Sequence, residues 1–122
     1  VVVCTPQPIA IADARKAIAL FKLDALNVPI FGLVENMAWF TPEELPDNKY
    51  YIFGKDGVKK LADELDIPLL AQIPLVQSIR EGADNGKPAV ISENSVQALA
   101  FIELAQNVAQ RVAIKNAELV EA

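Results

Sequence analysis

Glu35 and Asn36 are where this sequence first offers chemistry. They follow residues 28–34, a run without a charge that reads as a strand buried on both faces of a parallel sheet. In an open α/β sheet the carboxyl ends of the strands form the crevice where ligands bind. Asn36, whose amide both donates and accepts, is therefore a candidate to face a nucleotide base. A cap or turn amide is the plain alternative for it. Residues 1–4 form a second apolar run that breaks at Pro6, which puts the Thr5 hydroxyl at another strand end. Cys4 has no second cysteine and no basic cluster beside it, so it reads as a small buried filler rather than a nucleophile. Histidine is absent from the whole sequence. That excludes imidazole acid–base chemistry, a Ser-His-Asp triad and the commonest metal ligand from this segment.

The elements that must position these residues alternate. Ile11, Ala14, Ile18 and Phe21 recur at helical spacing within residues 9–23, with Asp13, Arg15, Lys16 and Lys22 on a wetter side. With the strands on either side, this helix makes one βαβ unit. Residues 38–51 carry Trp39, Phe40, Tyr50 and Tyr51 among Glu43, Glu44 and Asp47 without a period, which reads as a long loop whose aromatics either pack on their own domain or meet a partner. A second helix is predicted over 54–65, with Val58, Leu61, Ala62 and Leu65 as its apolar stripe, and a third strand over 67–73. Residues 75–81 suit a short helical turn, and 82–88, GADNGKP, are turn chemistry. A last helix is expected over 95–114, capped by Ser92, Asn94 or Ser95 and presenting Phe101, Leu104, Ala105, Val108 and Val112, with 115–122 as a frayed tail. The fold class expected is α/β: a doubly wound parallel sheet, half of one, with three strands and flanking helices.

A chain of 122 residues is one domain by length. Its formal net charge is −5 and its eleven Lys and Arg are scattered, which argues against a nucleic-acid partner. No apolar run approaches the roughly 20 residues of a membrane span, so no membrane association is expected. The chain opens directly on VVVCTPQ, which is not a secretory signal and looks like a piece of something longer. A single cysteine forbids an internal disulfide and suits a cytoplasmic location.

Four pieces then carry a resemblance. TPQ after the first strand, VENM after the second, IFG opening the next helix and IPLVQSIREGADNGKP after the third, in that order, resemble the C-terminal half of the Mrp/ApbC-type P-loop ATPases. These are deviant-Walker relatives of the MinD/ParA-like cell-division and nitrogenase-iron-protein ATPases, and the resemblance covers residues 1–113. It implies that residues 1–114 are the C-terminal portion of a P-loop ATPase domain. It also implies an ATP-dependent homodimeric scaffold or carrier in iron–sulfur cluster assembly, serving iron–sulfur client proteins. Carried onto this sequence, Asn36 matches the residue that hydrogen-bonds adenine, Pro74 and Leu75 form the wall of that pocket, and Arg80 lies close behind, with a structural ion pair as its alternative. ATP is the implied cofactor, with magnesium held through the N-terminal half.

The sequence departs from the family in two places. It contains no GxxxxGK[ST] or GKGGxGK loop and no Asp-rich switch for magnesium, so by itself it is not expected to hydrolyse ATP. The family's CxxC after the VENM strand is replaced by AWFTPEELPDNKYY. Clusters are held by thiolates, usually four, which two copies of Cys4 cannot supply. Either cluster ligands lie elsewhere in a full-length protein, or ATP-driven dimer switching is kept and the metal lost. Two further readings follow: a nucleotide-dependent partner-binding module acting through the 38–51 loop, and a MinD/ParA-like positioning ATPase.

Overall fold

A computed structural model describes residues 1–92 and 94–121. The elements run β1 (Val2–Cys4), α1 (Pro8–Phe21), β2 (Leu33–Glu35), α2 (Gly57–Leu65), β3 (Leu69–Gln72), α3 (Gln77–Asp84), a short 3-10 turn (Ala89–Ile91) and α4 (Val96–Glu121). The strands form a sheet of order β1-β2-β3, both pairs parallel, with Val2, Val3 and Cys4 opposite Leu33, Val34 and Glu35. Helices cover both faces, as the α/β expectation requires. Cys4, Ala14, Ile18, Leu33, Val58, Leu61, Ala62 and Ile67 fill the layer between the sheet and α1 and α2. Val34, Leu70, Ala71 and Ile73 meet Phe101, Leu104 and Val108 of α4 on the other side.

β2 is shorter than its apolar composition predicts. Pro29 has no N–H to give a ladder, Asn27 takes a left-handed turn (φ 44°), and the Val28 N–H returns to the Phe21 carbonyl at the end of α1. Val28 is consequently 46% exposed. Pairing starts only at residues 32–33, where the Gly32 carbonyl accepts from Val2 and the Leu33 N–H donates to Pro68. The first run is not fully buried either: Val3 is 60% exposed, because α4 packs on β3 and leaves the β1 side of that face uncovered.

Helix boundaries also differ from the periodicity. Gly54 (φ 105°) and Asp56 (φ 56°) are left-handed, so α2 begins at Gly57 rather than Gly54. Helix α3 takes in Gly82, Ala83 and Asp84, leaving only Asn85 to Pro88 of the GADNGKP stretch as turn. Ser95 caps α4: its Oγ accepts the Ala98 N–H at 3.1 Å. The helix then continues past Ile114 to Glu121, supported by a Lys115–Glu118 ion pair, where the sequence predicted a fraying tail; Ala122 lies outside the described residues. Ala105 and Val112, expected on its buried stripe, are exposed. No helix among the described residues is long and apolar enough to cross a membrane.

Candidate functional site

The carboxyl ends of the three strands come together at one edge of the sheet, and hydrogen bonds hold each to the next. The Asn36 N–H donates to the Cys4 carbonyl at 2.8 Å, and the Glu35 carbonyl accepts from Ile73 at 2.8 Å. Beyond the sheet proper the two chains stay paired. Ala38 donates to the Ile73 carbonyl, Leu75 to Trp39 and Thr41 to Leu75. Asn36 thus lies on the segment that runs beside Pro74 and Leu75. Met37 makes the kink between ladder and extension with φ 53°, an uncommon conformation for a residue with a side chain.

Asn36 is half-buried, and its Oδ1 accepts the Met37 N–H at 3.0 Å. This bond orients the amide: one lone pair of Oδ1 is used, and Nδ2 has no partner among the described residues. The side chain therefore acts locally as a turn amide and still offers two donors and an acceptor outward. Pro74 is buried and Leu75 half-buried. Pro74 lines a cavity of about 550 Å³ together with Trp39, Pro42, Val76, Gln77 and Gln97. Asn36, Leu75 and Arg80 do not line it. Arg80 sits on the exposed side of α3, its Nη1 donating to Asp84 at 2.8 Å and its Nη2 lying 3.5 Å from Glu81. That is the i,i+4 ion pair named as its alternative role.

Sequence reasoning named Glu35 at the strand end beside Asn36 but gave it no role. The Glu35 side chain is fully buried (0% exposed); Oε2 accepts the Val58 N–H at 2.7 Å and Oε1 accepts Gln72 Nε2 at 2.9 Å. The same Nε2 donates to Asp56 Oδ1 at 2.9 Å. A carboxylate at the first turn of α2 complements the positive end of the helix dipole. Strand period could have flagged it, since Glu35 shares a face with Leu33 and must be buried if Leu33 is. The burial of Cys4 (8% exposed), then the charges of Glu35 and Asp13, push the Cys4 thiol above its ordinary pKa, and its Sγ donates to the Thr5 carbonyl. A buried, protonated lone thiol does not fit a four-thiolate cluster site. The Thr5 hydroxyl at the end of β1 donates to Gln7.

Trp39 was expected in the loop but not as a cavity wall. Its ring carries Lys49 Nζ 4.0 Å from the centroid, and an antiparallel bridge between Phe40 and Tyr50 closes the loop on itself. A second cleft, about 670 Å³, opens between α1 and α2, lined by Pro6 and Pro8 after β1 and by Gly54 and Gly57 ahead of and at the start of α2, and is flanked by an Arg15–Glu64 ion pair.

Comparison with known proteins agrees with this architecture. The chain is 41% identical over 115 residues to an iron-sulfur cluster carrier protein of Synechocystis sp., covering 93% of this chain and 32% of that protein. It is 43% identical over 113 residues to the iron-sulfur cluster transfer protein NUBPL of Mus musculus, covering 92% and 34%. The chain thus spans about a third of the length of the curated relatives it matches. Among solved structures, the septum site-determining protein MinD complexed with Mg-ADP from Pyrococcus horikoshii superposes with a TM-score of 0.65 at 28% identity, over 93% of this chain and 42% of that one. The ParA family model described as NUBPL iron-transfer P-loop NTPase matches residues 1–112, and the chain belongs to that family.

Proposed function

We propose that this chain forms the base-recognising portion of an ATP-dependent iron–sulfur cluster carrier, with residues 1–114 as the C-terminal part of its P-loop ATPase domain. The observation that carries the reading is Asn36. Its amide stands at the carboxyl edge of a parallel sheet, oriented by Met37, with Nδ2 unpartnered among the described residues. Adenine presents an exocyclic amine and a ring nitrogen acceptor, and a carboxamide matches both. Buried Pro74 and half-buried Leu75 supply apolar surface beside it, while Arg80, paired with Asp84 along α3, stays the outlying member of the set carried over from the family.

Phosphate and magnesium binding fall outside this chain, which has no glycine-rich phosphate loop. The relatives' threefold greater length leaves room for it. Alone, the chain is not catalytic; ATP hydrolysis belongs to the full-length protein, working as a cytoplasmic homodimer that delivers clusters to iron–sulfur client proteins. Cluster cargo is held by residues outside this chain, since Cys4 is its single cysteine and is buried. The names of the curated relatives support the cargo.

A second reading has one observation in its favour. Leu45 and Tyr50 of the 38–51 loop, and Ile52 beside it, are exposed. In that reading the loop docks a protein partner and nucleotide only stabilises the fold. Calorimetric titration of the full-length protein with ATP separates the two. Asn36→Ala is expected to weaken binding by about 1–3 kcal/mol, the scale of a bidentate base contact. Unchanged affinity would refute the first reading.

A further inference from the structure

We propose that Glu35 is a positioning residue for base recognition: it clamps the ends of β2 and β3 to the first turn of α2 and so fixes how Asn36 presents its amide. This rests on the reading of Asn36 given above. A buried carboxylate is costly unless its oxygens are hydrogen-bonded, and one stands here on a face where Leu33 packs as plain hydrocarbon. Both oxygens are committed, to the Val58 N–H at 2.7 Å and to Gln72 Nε2 at 2.9 Å.

The bond to Gln72 extends the clamp. Its Nε2 gives one hydrogen to Glu35 and the other to Asp56, so the amide has one tolerable orientation; reversed, its oxygen would face two carboxylates. One chain of bonds therefore ties together the residue before Asn36, the residue two before Pro74 and the residue before α2. It lies between two left-handed residues, Asp56 (φ 56°), a type that adopts this conformation readily, and Met37 (φ 53°), a type that does not. A residue of the second type holds such a conformation only where its surroundings over-determine it, and such strain clusters at ligand sites. The lever on Asn36 is direct. The carbonyl of Glu35 accepts from Ile73 and the N–H of Asn36 donates to Cys4, so any rotation of residue 35 turns the peptide that carries the Asn36 side chain. The Asn36 amide in turn leans on the Met37 N–H.

Glu35→Gln is the informative change, because it keeps the volume but has only one carbonyl oxygen for two donors, leaving an NH2 against either Val58 or Gln72. The experiment measures ATP and inosine triphosphate affinities of the full-length protein for the parent, Glu35→Gln, Asn36→Ala and the double variant. Inosine lacks the exocyclic amine that Asn36 Oδ1 would accept, so the ATP-to-ITP ratio reports the amide's aim. Glu35→Gln is expected to weaken ATP by about tenfold, the lower end of a base-contact loss, and to pull the ratio towards one. In the Asn36→Ala background it should change ATP affinity by less than about twofold, as coupled neighbours do. Unchanged ATP affinity, equal loss of both nucleotides, or the same loss in the Asn36→Ala background would each overturn the positioning role. Should Glu35→Gln fail to fold by circular dichroism, Gln72→Met, which cuts the clamp but keeps the Val58 bond, is read by the same criteria. If Asn36→Ala itself leaves ATP affinity unchanged, the base-recognition reading falls and takes this proposal with it. Failure of Glu35→Gln alone leaves that reading standing.

Discussion

Replacing Gly57 with alanine tests how tightly the start of α2 is seated against the loop between β1 and α1. A Cβ at this position would lie 2.4 Å from the Pro6 carbonyl oxygen and 2.6 Å from Ile11 Cδ1. Ordinary contacts are near 3.5–4.0 Å, so each overlap is about 1 Å. The Ile11 methyl can swing away. The Pro6 oxygen is backbone, beside a residue that is itself buried, and can give way only if the β1–α1 loop shifts with it. Forcing extra volume into a packed site costs about 1–3 kcal/mol, and a collision with backbone belongs at the upper end. Alanine's better helix propensity returns at most ~1 kcal/mol, and less at a first-turn position. The net expectation is a loss of about 2 kcal/mol. In urea, with a slope of about 1–3 kcal/mol/M for a chain of this size, the midpoint should fall by about 1 M. Far-ultraviolet ellipticity and Trp39 fluorescence should report the same midpoint if unfolding is cooperative. Gly86→Ala is the control. Gly86 has φ 69°, and a methyl group there would meet nothing within 4 Å, so the substitution carries only the left-handed strain, roughly 1–2 kcal/mol. A Gly57→Ala midpoint at or above the parent's would refute the packing argument.

Three further outcomes are expected. Leu61→Ala, at a side chain 2% exposed in the layer under α2, should cost about 2–5 kcal/mol, read from thermal or urea unfolding. Native Cys4 should react with iodoacetamide along a pH profile displaced to the alkaline side of an ordinary thiol, since burial, Glu35 and Asp13 all disfavour its thiolate. The sign for stability follows from the same shift: the neutral thiol's contribution is complete below the unfolded thiol's pKa, about 8.5, and is lost as pH rises through the higher folded value. Cys4→Ser should flatten that alkaline decline in the unfolding free energy.

Glu35 shows how a buried charge can be both a cost and a device. The carboxylate takes the place of hydrocarbon in a layer built from Leu33, Val58 and Leu61, yet it satisfies an N–H at the open end of α2 and meets Gln72 across the sheet. Replacing it with leucine would improve local hydrophobicity and leave the Val58 N–H unpaired beneath packed side chains, a loss of about 1–3 kcal/mol. The site side of the sheet is thus ordered by polar bonds from the core side.

The sequence alone determined the alternation of strands and helices, the apolar stripe of α2, the Ser95 cap as one of three candidates, and the polar residues at strand ends. Each of these is written in a local period or in a short-range hydrogen bond, so neighbours along the chain carry the information. The order of TPQ, VENM, IFG and IPLVQSIREGADNGKP carried the family resemblance. Tertiary structure alone decided which apolar residues are covered: Val3 and Val28 look like Val34 in composition, but only Val34 has α4 and β3 to bury it. It also decided that α4 runs to Glu121, that Arg80 pairs along its own helix, and that Glu35 answers to Val58 and Gln72, 23 and 37 residues away. Burial and long-range polar partners depend on elements remote in sequence, and a periodicity can report only the face a segment offers, never what arrives to meet it.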